Sequence, residues 1–304
     1  MLDHIAYEFM KFIAVHGKEY VTLEEWNNRL ALFTSAFKFV EEHNSSDSSY
    51  KAGINQFSDW TDEERSKLLG LSGLLHENNE PTISGVPTND SIDWREIGDT
   101  VTPVKDQGAC GSCWAFSATE TVESAYVIAG NDQVIMAPQE LVDCARGLFS
   151  NHGCNGGWYY YAWKWLESNM SMRESDYPYT SGSTGDETTC AYDAAEGVTY
   201  TSGYAQCSPD TDSIKACIEQ GPVSVAVAAG NNTFMGYSSG IITEADGCPT
   251  QLDHAIQAVG YGYEGDQGYY IVRNSWNTTW GDAGYVRIGM AEGDGVCGIN
   301  QAVY

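Results

Sequence analysis

Gln107-Gly108-Ala109-Cys110-Gly111-Ser112-Cys113-Trp114-Ala115-Phe116-Ser117 closes a loop and begins a helix. From Trp114 to Ala129 there is no proline and helix formers predominate. The apolar residues Ala115, Phe116, Ala118, Val122, Ala125, Tyr126 and Ala129 recur mostly at three- and four-residue steps, and Gly130 follows as a stop. Cys113 is therefore expected to open that helix. A thiol in this position meets unpaired backbone N–H groups and the positive end of the helix dipole, both of which favour thiolate over thiol. A neighbouring imidazolium would lower its pKa further.

Upstream of this stretch, residues 1–76 read as helical and polar. Thr22 with Glu25 forms a capping box opening a helix to about His43, and Thr61 with Glu64 opens a second that ends at Gly70. Between them lies Gly53-Ile54-Asn55-Gln56-Phe57-Ser58-Asp59. Residues 71–90, rich in Gly, Pro, Ser and Asn, read as a linker and a natural site of cleavage.

Downstream, signals stay helical to about Tyr200. Pro138 stands in the first turn of a short helix through Cys144, and the aromatic run from Trp158 to Leu166 reads mostly as core. Beyond residue 200 the period changes. Pro222–Val227, Ala255–Tyr261, Gly268–Asn274 and Gly284–Ile288 look like strands bounded by glycines. Helices first and strands afterwards imply an α+β fold.

The chain has 304 residues, 42% of them hydrophobic, enough for a sizeable core and two or three structural units. A net charge of −27 argues against nucleic acid as a partner, because a polyanion would be repelled. Most of these carboxylates are expected on a solvated surface. They also suit an acidic compartment, where mutual repulsion is partly discharged. No run is apolar enough to span a bilayer. The opening residues are interrupted by charge and read as an amphipathic helix rather than a secretory signal; if the cysteines form disulfides, a signal is expected to have been removed.

All nine cysteines fall between 110 and 297. One reactive thiol leaves eight, enough for four disulfides in an oxidising compartment. Cys110 and Cys113 could instead form a zinc or redox pair, but no second close Cys/His pair and no βαβ context accompany them. No metal or cofactor is expected. A thiolate nucleophile needs a base, and beyond residue 88 there are only His152, in a polar loop, and His254, at the start of an apolar strand.

With Cys113 inside Cys-Gly-Ser-Cys-Trp and His254 lying 141 residues on, the chain resembles the papain-like cysteine proteases over essentially its whole length. Its first part resembles the inhibitory propeptide of cathepsin L-like enzymes, on Glu25, Arg29, Phe33, Val40 and Asn44 followed by Gly53, Asn55, Phe57 and Asp59. Ala36 departs from that pattern, which has asparagine there. The resemblance implies a papain-like two-domain fold preceded by a helical propeptide. Residues 1–87 would be inhibitor and linker, and 88–304 the peptidase. The peptidase would divide into a helical left domain at about 91–200 and a β-barrel-like right domain at about 201–304. The propeptide tail would run backwards through the cleft, and the mature chain would begin between Val86 and Asp90.

For the site, the resemblance implies Cys113 as nucleophile, His254 as base, Asn274 as its orienting partner beneath Trp276, and Gln107 with the Cys113 backbone N–H as oxyanion donors. Gly156 and Gly157 would pair with an extended peptide. Trp158, Tyr159, Ala226, Leu252 and Ala302, beside Asp253, would line an uncharged pocket favouring a hydrophobic or aromatic residue two before the cleaved bond. No inserted loop carries paired histidines, so an endopeptidase is expected rather than a dipeptidase. A retained but inactive binding protein is the rival reading, against which every catalytic position is intact.

Disulfides carried over by similarity are Cys110–Cys154, Cys144–Cys190 and Cys248–Cys297. Cys207 and Cys217 remain and are expected to form a fourth bridge, the alternative being two buried thiols. Asn277 replaces the usual glycine after the tryptophan and creates a glycosylation triplet, as do Asn44, Asn89, Asn169 and Asn231. The expected partners are peptide and protein substrates, the chain's own propeptide and cystatin-type inhibitors. The expected state is a monomer in a lysosome or vacuole, or secreted.

Overall fold

A computed structural model describes residues 4–71, 81–147 and 151–304. The first part comprises helices α1 (His4–His16) and α2 (Leu23–Asn44), strand β1 (Tyr50–Ala52) and helix α3 (Asp62–Ser66). α1 and α2 join through Phe9, Phe12 and Phe33, all buried, with Trp26 and Leu30 packed around them. The Thr22 hydroxyl caps α2 by accepting from Glu25 N–H, while the Glu25 carboxylate reaches the N–H of Val21 rather than that of Thr22. Thr61 and Glu64 form the reciprocal box at α3. That helix stops at Ser66, short of the expected Gly70, because the N–H groups of Lys67, Leu68 and Leu69 bond three residues back and unwind the last turn toward the cleft. At Ala36, where asparagine was expected, a cavity of about 30 Å³ remains beside Asn55 and Arg65.

The elements that follow are β2 (Thr82–Ile83), β3 (Ile92–Asp93), α4 (Cys113–Ile128), α5 (Pro138–Cys144), α6 (Tyr159–Leu166), β4 (Ser171–Met172), α7 (Ser181–Thr184), β5 (Gly197–Thr199) and β6 (Gln206–Cys207). Then come α8 (Thr211–Gln220), β7 (Val223–Val227), α9 (Asn232–Met235), β8 (Tyr237–Gly240), β9 (His254–Glu264), β10 (Gln267–Arg273) and β11 (Tyr285–Gly289).

α4 is buried almost all round, as a helix must be when it packs on two sides at once. α5 and α6 cover one side, and β7 and β9 the other. The right-hand sheet is antiparallel, in the order β11-β10-β9, and β9 shares its far edge between β7 and β3. The first nine residues of β9 are buried, polar His254 and Gln257 among them, which places the strand at the centre of a two-sided core.

Two short segments cross between the halves. Ile92–Asp93, within the stretch expected to be helical, is a strand of the right-hand sheet. Tyr304, at the other end, enters the aromatic cluster of Tyr159, Tyr160 and Tyr204.

The segment read as a linker is docked where it is described. β2 runs parallel to β6, and the Glu219 carboxylate accepts from the backbone N–H groups of Thr88 and Asn89. Residues 72–80 of that segment lie outside the described residues. β1 pairs antiparallel with β8, adding a strand from the N-terminal part to the right-hand half.

Candidate active site

Cys113 is the first residue of α4 and the one cysteine outside a disulfide. The loop before it is held by the Cys110–Cys154 bridge and by Gly111 N–H donating to Cys154 O. The helix cap Ser112 has no side-chain bond to the helix; its hydroxyl lies 2.7 Å from that of Tyr179, which in turn donates to Gln107 O.

His254 opens β9 and Asn274 follows the end of β10, which brings both to one edge of the sheet facing the start of α4. Asn274 Oδ1 accepts from Ser275 N–H at 2.8 Å, and this identifies it as the oxygen of the amide. His254 Nε2, also 2.8 Å from that oxygen, is therefore the protonated nitrogen, leaving Nδ1 to exchange a proton with a neighbour. The Trp276 ring lies 4.6 Å from the imidazole and excludes water from the pair.

Gln107 is fully buried, and its amide is likewise fixed. Oε1 accepts from Ser275 Oγ at 2.7 Å and Trp276 Nε1 at 3.2 Å, turning Nε2 toward the cleft. There Nε2 donates to Cys110 O and, at 2.9 Å, to the carbonyl of Leu68.

Residues 68–71 thus occupy the cleft. Gly157 N–H donates to Gly70 O at 2.8 Å, Leu71 N–H donates to Asp253 O at 3.1 Å, and Leu71 forms a parallel bridge with Gly157. Gly70 passes so close to Gly111 that an added Cβ would stand 1.9 Å from its carbonyl oxygen. Gly157 is equally confined, since a Cβ there would meet Asn151 Oδ1 at 2.3 Å. Behind this segment, Phe57 stands edge-on to Trp276 at 5.4 Å, and Gln56 Nε2 donates to Trp276 O.

This cover reverses the charge state expected of the thiol. Burial pushes Cys113 up to about 12, against backbone N–H groups of Ala255, Gly70 and Trp114 that favour the thiolate. Burial likewise pulls His254 down to about 4, opposed by its bond to Asn274 and by the Leu68 carbonyl. With the cleft filled, both groups are neutral near pH 7: the helix terminus is present, but desolvation outweighs it.

Among the residues expected to line the pocket, Trp158, Tyr159, Ala226 and Ala302 are buried in one cluster, and Leu252 and Leu71 pack against it. The Tyr159 hydroxyl donates to Ala302 O at 2.7 Å. Asp253 uses its carboxylate to accept from Ala229 and Gly230 N–H, while its backbone carbonyl accepts from Leu71 N–H in the cleft. Gly156 has φ of +106°, the conformation that turns the chain into Gly157. His152 is exposed, on the short turn before Gly156.

Cys110–Cys154, Cys144–Cys190, Cys207–Cys217 and Cys248–Cys297 are all bridged, with S–S distances of 2.04–2.15 Å. Asn277 is exposed with φ of +64°, a left-handed conformation that asparagine tolerates better than most residues, which explains how it stands where glycine was expected.

Sequence reasoning did not single out Ser275, Tyr179 or Asn151, which hold Gln107, Ser112 and Trp158 in place. Ser275 lies within the Asn274-Ser275-Trp276 motif and could have been found there; the other two carry no periodic or motif signal.

A buried thiol at a helix start, an imidazole oriented by an amide and a side-chain donor beside them, all covered by the chain's own N-terminal part, define a cysteine peptidase in zymogen form. The comparisons agree. Residues 88–304 match the model of the papain family cysteine protease, and residues 9–65 that of the cathepsin propeptide inhibitor domain. The chain belongs to the papain family. It is 38% identical over 299 residues to digestive cysteine proteinase 1 of Homarus americanus, covering 95% of this chain and 91% of that protein. The structure of digestive procathepsin L 3 from Tenebrio molitor larval midgut superposes with a TM-score of 0.88 at 32% identity, over 99% of this chain and 98% of that one. The recombinant stem bromelain precursor gives 0.87 at 34% identity, over 99% and 98%.

Proposed function

We propose that, once residues 68–71 leave the cleft, Cys113 and His254 form a thiolate–imidazolium pair that hydrolyses peptide bonds within protein chains. The sulfur attacks the carbonyl carbon and forms a C–S bond. The oxyanion is held by Gln107 Nε2–H and Cys113 N–H. His254 gives its Nδ1 proton to the departing amine as the C–N bond breaks. A water, deprotonated by His254, then attacks the thioester and returns the sulfur as thiolate. Asn274 keeps the ring in register throughout. The observation that carries this reading is the Leu68 carbonyl bonded to Gln107 Nε2 in the cleft beside Cys113, a main-chain carbonyl placed where a substrate carbonyl would be polarised.

The parallel pairing of Leu71 with Gly157 supports inhibition by reversed polarity, since a segment running the wrong way fills the cleft without presenting its bonds for attack. The uncharged cluster that receives Leu71 supports a preference for hydrophobic or aromatic residues at the second position before the cleaved bond. The mature chain begins between Val86 and Asp90, where Glu219 holds the Thr88 and Asn89 N–H groups. Activation belongs to an acidic, oxidising compartment, a lysosome, vacuole or secreted fluid. The enzyme works as a monomer open to cystatin-type inhibitors.

The test is a peptidyl epoxysuccinyl label applied after acid activation. One adduct, on Cys113, together with hydrolysis of a peptide substrate is expected. Labelling without hydrolysis would favour a binding protein, and no adduct at Cys113 would overturn the assignment.

A further inference from the structure

The four residues assigned to catalysis stand on four separate segments, and one buried charge cluster touches all four segments away from the cleft. α4, opened by Cys113, carries Glu120 and Glu123. β9, opened by His254, carries Gln257. β10 ends on Arg273, next to Asn274. The loop leading to Gln107 carries Thr102 and Lys105. Glu120, Glu123, Gln257 and Arg273 are each no more than 1% exposed.

Arg273 is the hub. Its guanidinium donates to Thr102 O, to Thr102 Oγ1 at 2.9 Å and to Gln257 Oε1 at 2.7 Å, and its Nε faces Glu120 Oε2 at 3.4 Å. Lys105 Nζ donates to Glu123 Oε2 at 2.7 Å and stands 3.7 Å from Glu120 Oε1. Two further ionisable groups lie beside the cluster: Glu174, which feels Lys105 and Glu123, and Tyr285, which feels Arg273 and Glu120. Within the core of the cluster two carboxylates balance two cations.

Buried ion pairs of this kind are weak evidence for stability, because apolar residues of similar volume often serve as well. What they impose is register: the Arg273 fork is fixed on Thr102 and Gln257, its Nε is left facing Glu120 of α4 across a buried ion pair without a hydrogen bond, and a shift of α4 against β10 would leave a charge unpaired. We propose that Arg273 and Glu120 are positioning residues, locking the strand end that carries Asn274 against the helix that carries Cys113 and so setting how the His254 imidazole meets the sulfur. This rests on the catalytic assignment above.

The experiment uses the full chain after acid activation, with competent sites counted by the epoxysuccinyl label. Wild type is compared with Arg273→Met, Arg273→Lys and Glu120→Gln. Arg273→Met is expected to lower kcat per labelled site by roughly tenfold or more, since small misplacements of reacting groups cost about that much. KM should stay within about twofold, and the pH window of Cys113 alkylation by iodoacetamide should narrow. Arg273→Lys should recover most of kcat, and Glu120→Gln should fall between. If Arg273→Met does not fold, Glu120→Gln decides. Wild-type kcat and alkylation profile in the deciding variant, even with a lower melting temperature, would overturn the proposal. A wild-type enzyme that takes no label and hydrolyses nothing would overturn the catalytic reading first, and this proposal with it.

Discussion

The carbonyl oxygen of Leu68 accepts a hydrogen bond from Gln107 Nε2 at 2.9 Å, so the donor proposed for the oxyanion is engaged by the chain's own N-terminal part. If that donor acts in the transition state, Gln107→Ala should lower kcat/KM on a peptide substrate by roughly 10²–10³. Alkylation of Cys113 by iodoacetamide, which builds no oxyanion, should change by only a few-fold. Unchanged turnover would remove Gln107 from the site.

Gly70 leaves no room for a side chain, since its Cβ would overlap the Gly111 carbonyl. Overpacking typically costs 1–3 kcal/mol, or roughly 5- to 150-fold in an equilibrium. Unprocessed Gly70→Ala should accordingly be labelled at Cys113 by the epoxysuccinyl probe at pH 7 at least several-fold faster than the unprocessed wild type. Equal rates would mean that this contact does not hold the cover down.

The buried imidazole makes the zymogen sensitive to acid. His254 takes no proton until about pH 4 in the covered state, whereas a free imidazole does so near 6.5. The unfolded chain therefore binds more protons in this window, and His254 lowers stability as pH falls from 6.5 to 4, with no further loss below. In a Cys113→Ala background that prevents processing, His254→Asn should gain stability relative to its parent by on the order of 3 kcal/mol between pH 7 and pH 4, measured by denaturant unfolding. A gap that does not change with pH would refute the assignment.

Glu140 has the opposite sign. Burial raises its carboxyl to about 8, against one bond from Met172 N–H, and its Oε1 has no partner among the described residues. The folded state keeps a proton that the unfolded chain releases above pH 4.5, so this group costs stability as pH rises from 4.5 to 8. Glu140→Gln should stabilise the zymogen at pH 7.5 by on the order of 3 kcal/mol and have little effect at pH 4.5. Differential scanning calorimetry at the two pH values separates these outcomes.

Substrate choice should follow the cluster around Tyr159. The residues expected to line it, Trp158, Tyr159, Ala226, Leu252 and Ala302, carry no charge, and the Tyr159 hydroxyl is already bonded to Ala302 O. A cation two residues before the cleaved bond would lose its water without a partner. Peptides with leucine or phenylalanine there should exceed those with arginine by roughly tenfold or more in kcat/KM, since an unpaired buried charge costs at least 1–3 kcal/mol. Comparable rates in a positional library would contradict this.

The parts legible in the sequence are those with a local period or a motif. The uninterrupted run after Cys113, the glycine-bounded strands and the Thr61–Glu64 box each declare themselves within a few residues. Ile92–Asp93 does not, because two residues hold no alternation and their place in the sheet depends on β9. Nor do Glu120 and Glu140, which in a chain with 42 acidic residues look like any other solvated carboxylates. The charge of the thiol escaped for a different reason: the helix start is a local fact, but the cover that overrides it comes from Leu68 to Leu71, more than forty residues upstream.

Removal of the N-terminal part has a second effect, far from the sulfur. β1 lies along β8, with Tyr50 opposite Gly240 and Lys51 opposite Ser239. Once β1 is cut away, the main-chain donors and acceptors of Tyr237–Gly240 face water as an open edge, able to take up a strand from another molecule. Maturation thus exchanges an internal partner for a sticky border, and the finished enzyme carries an association hazard at high concentration from which its precursor is shielded.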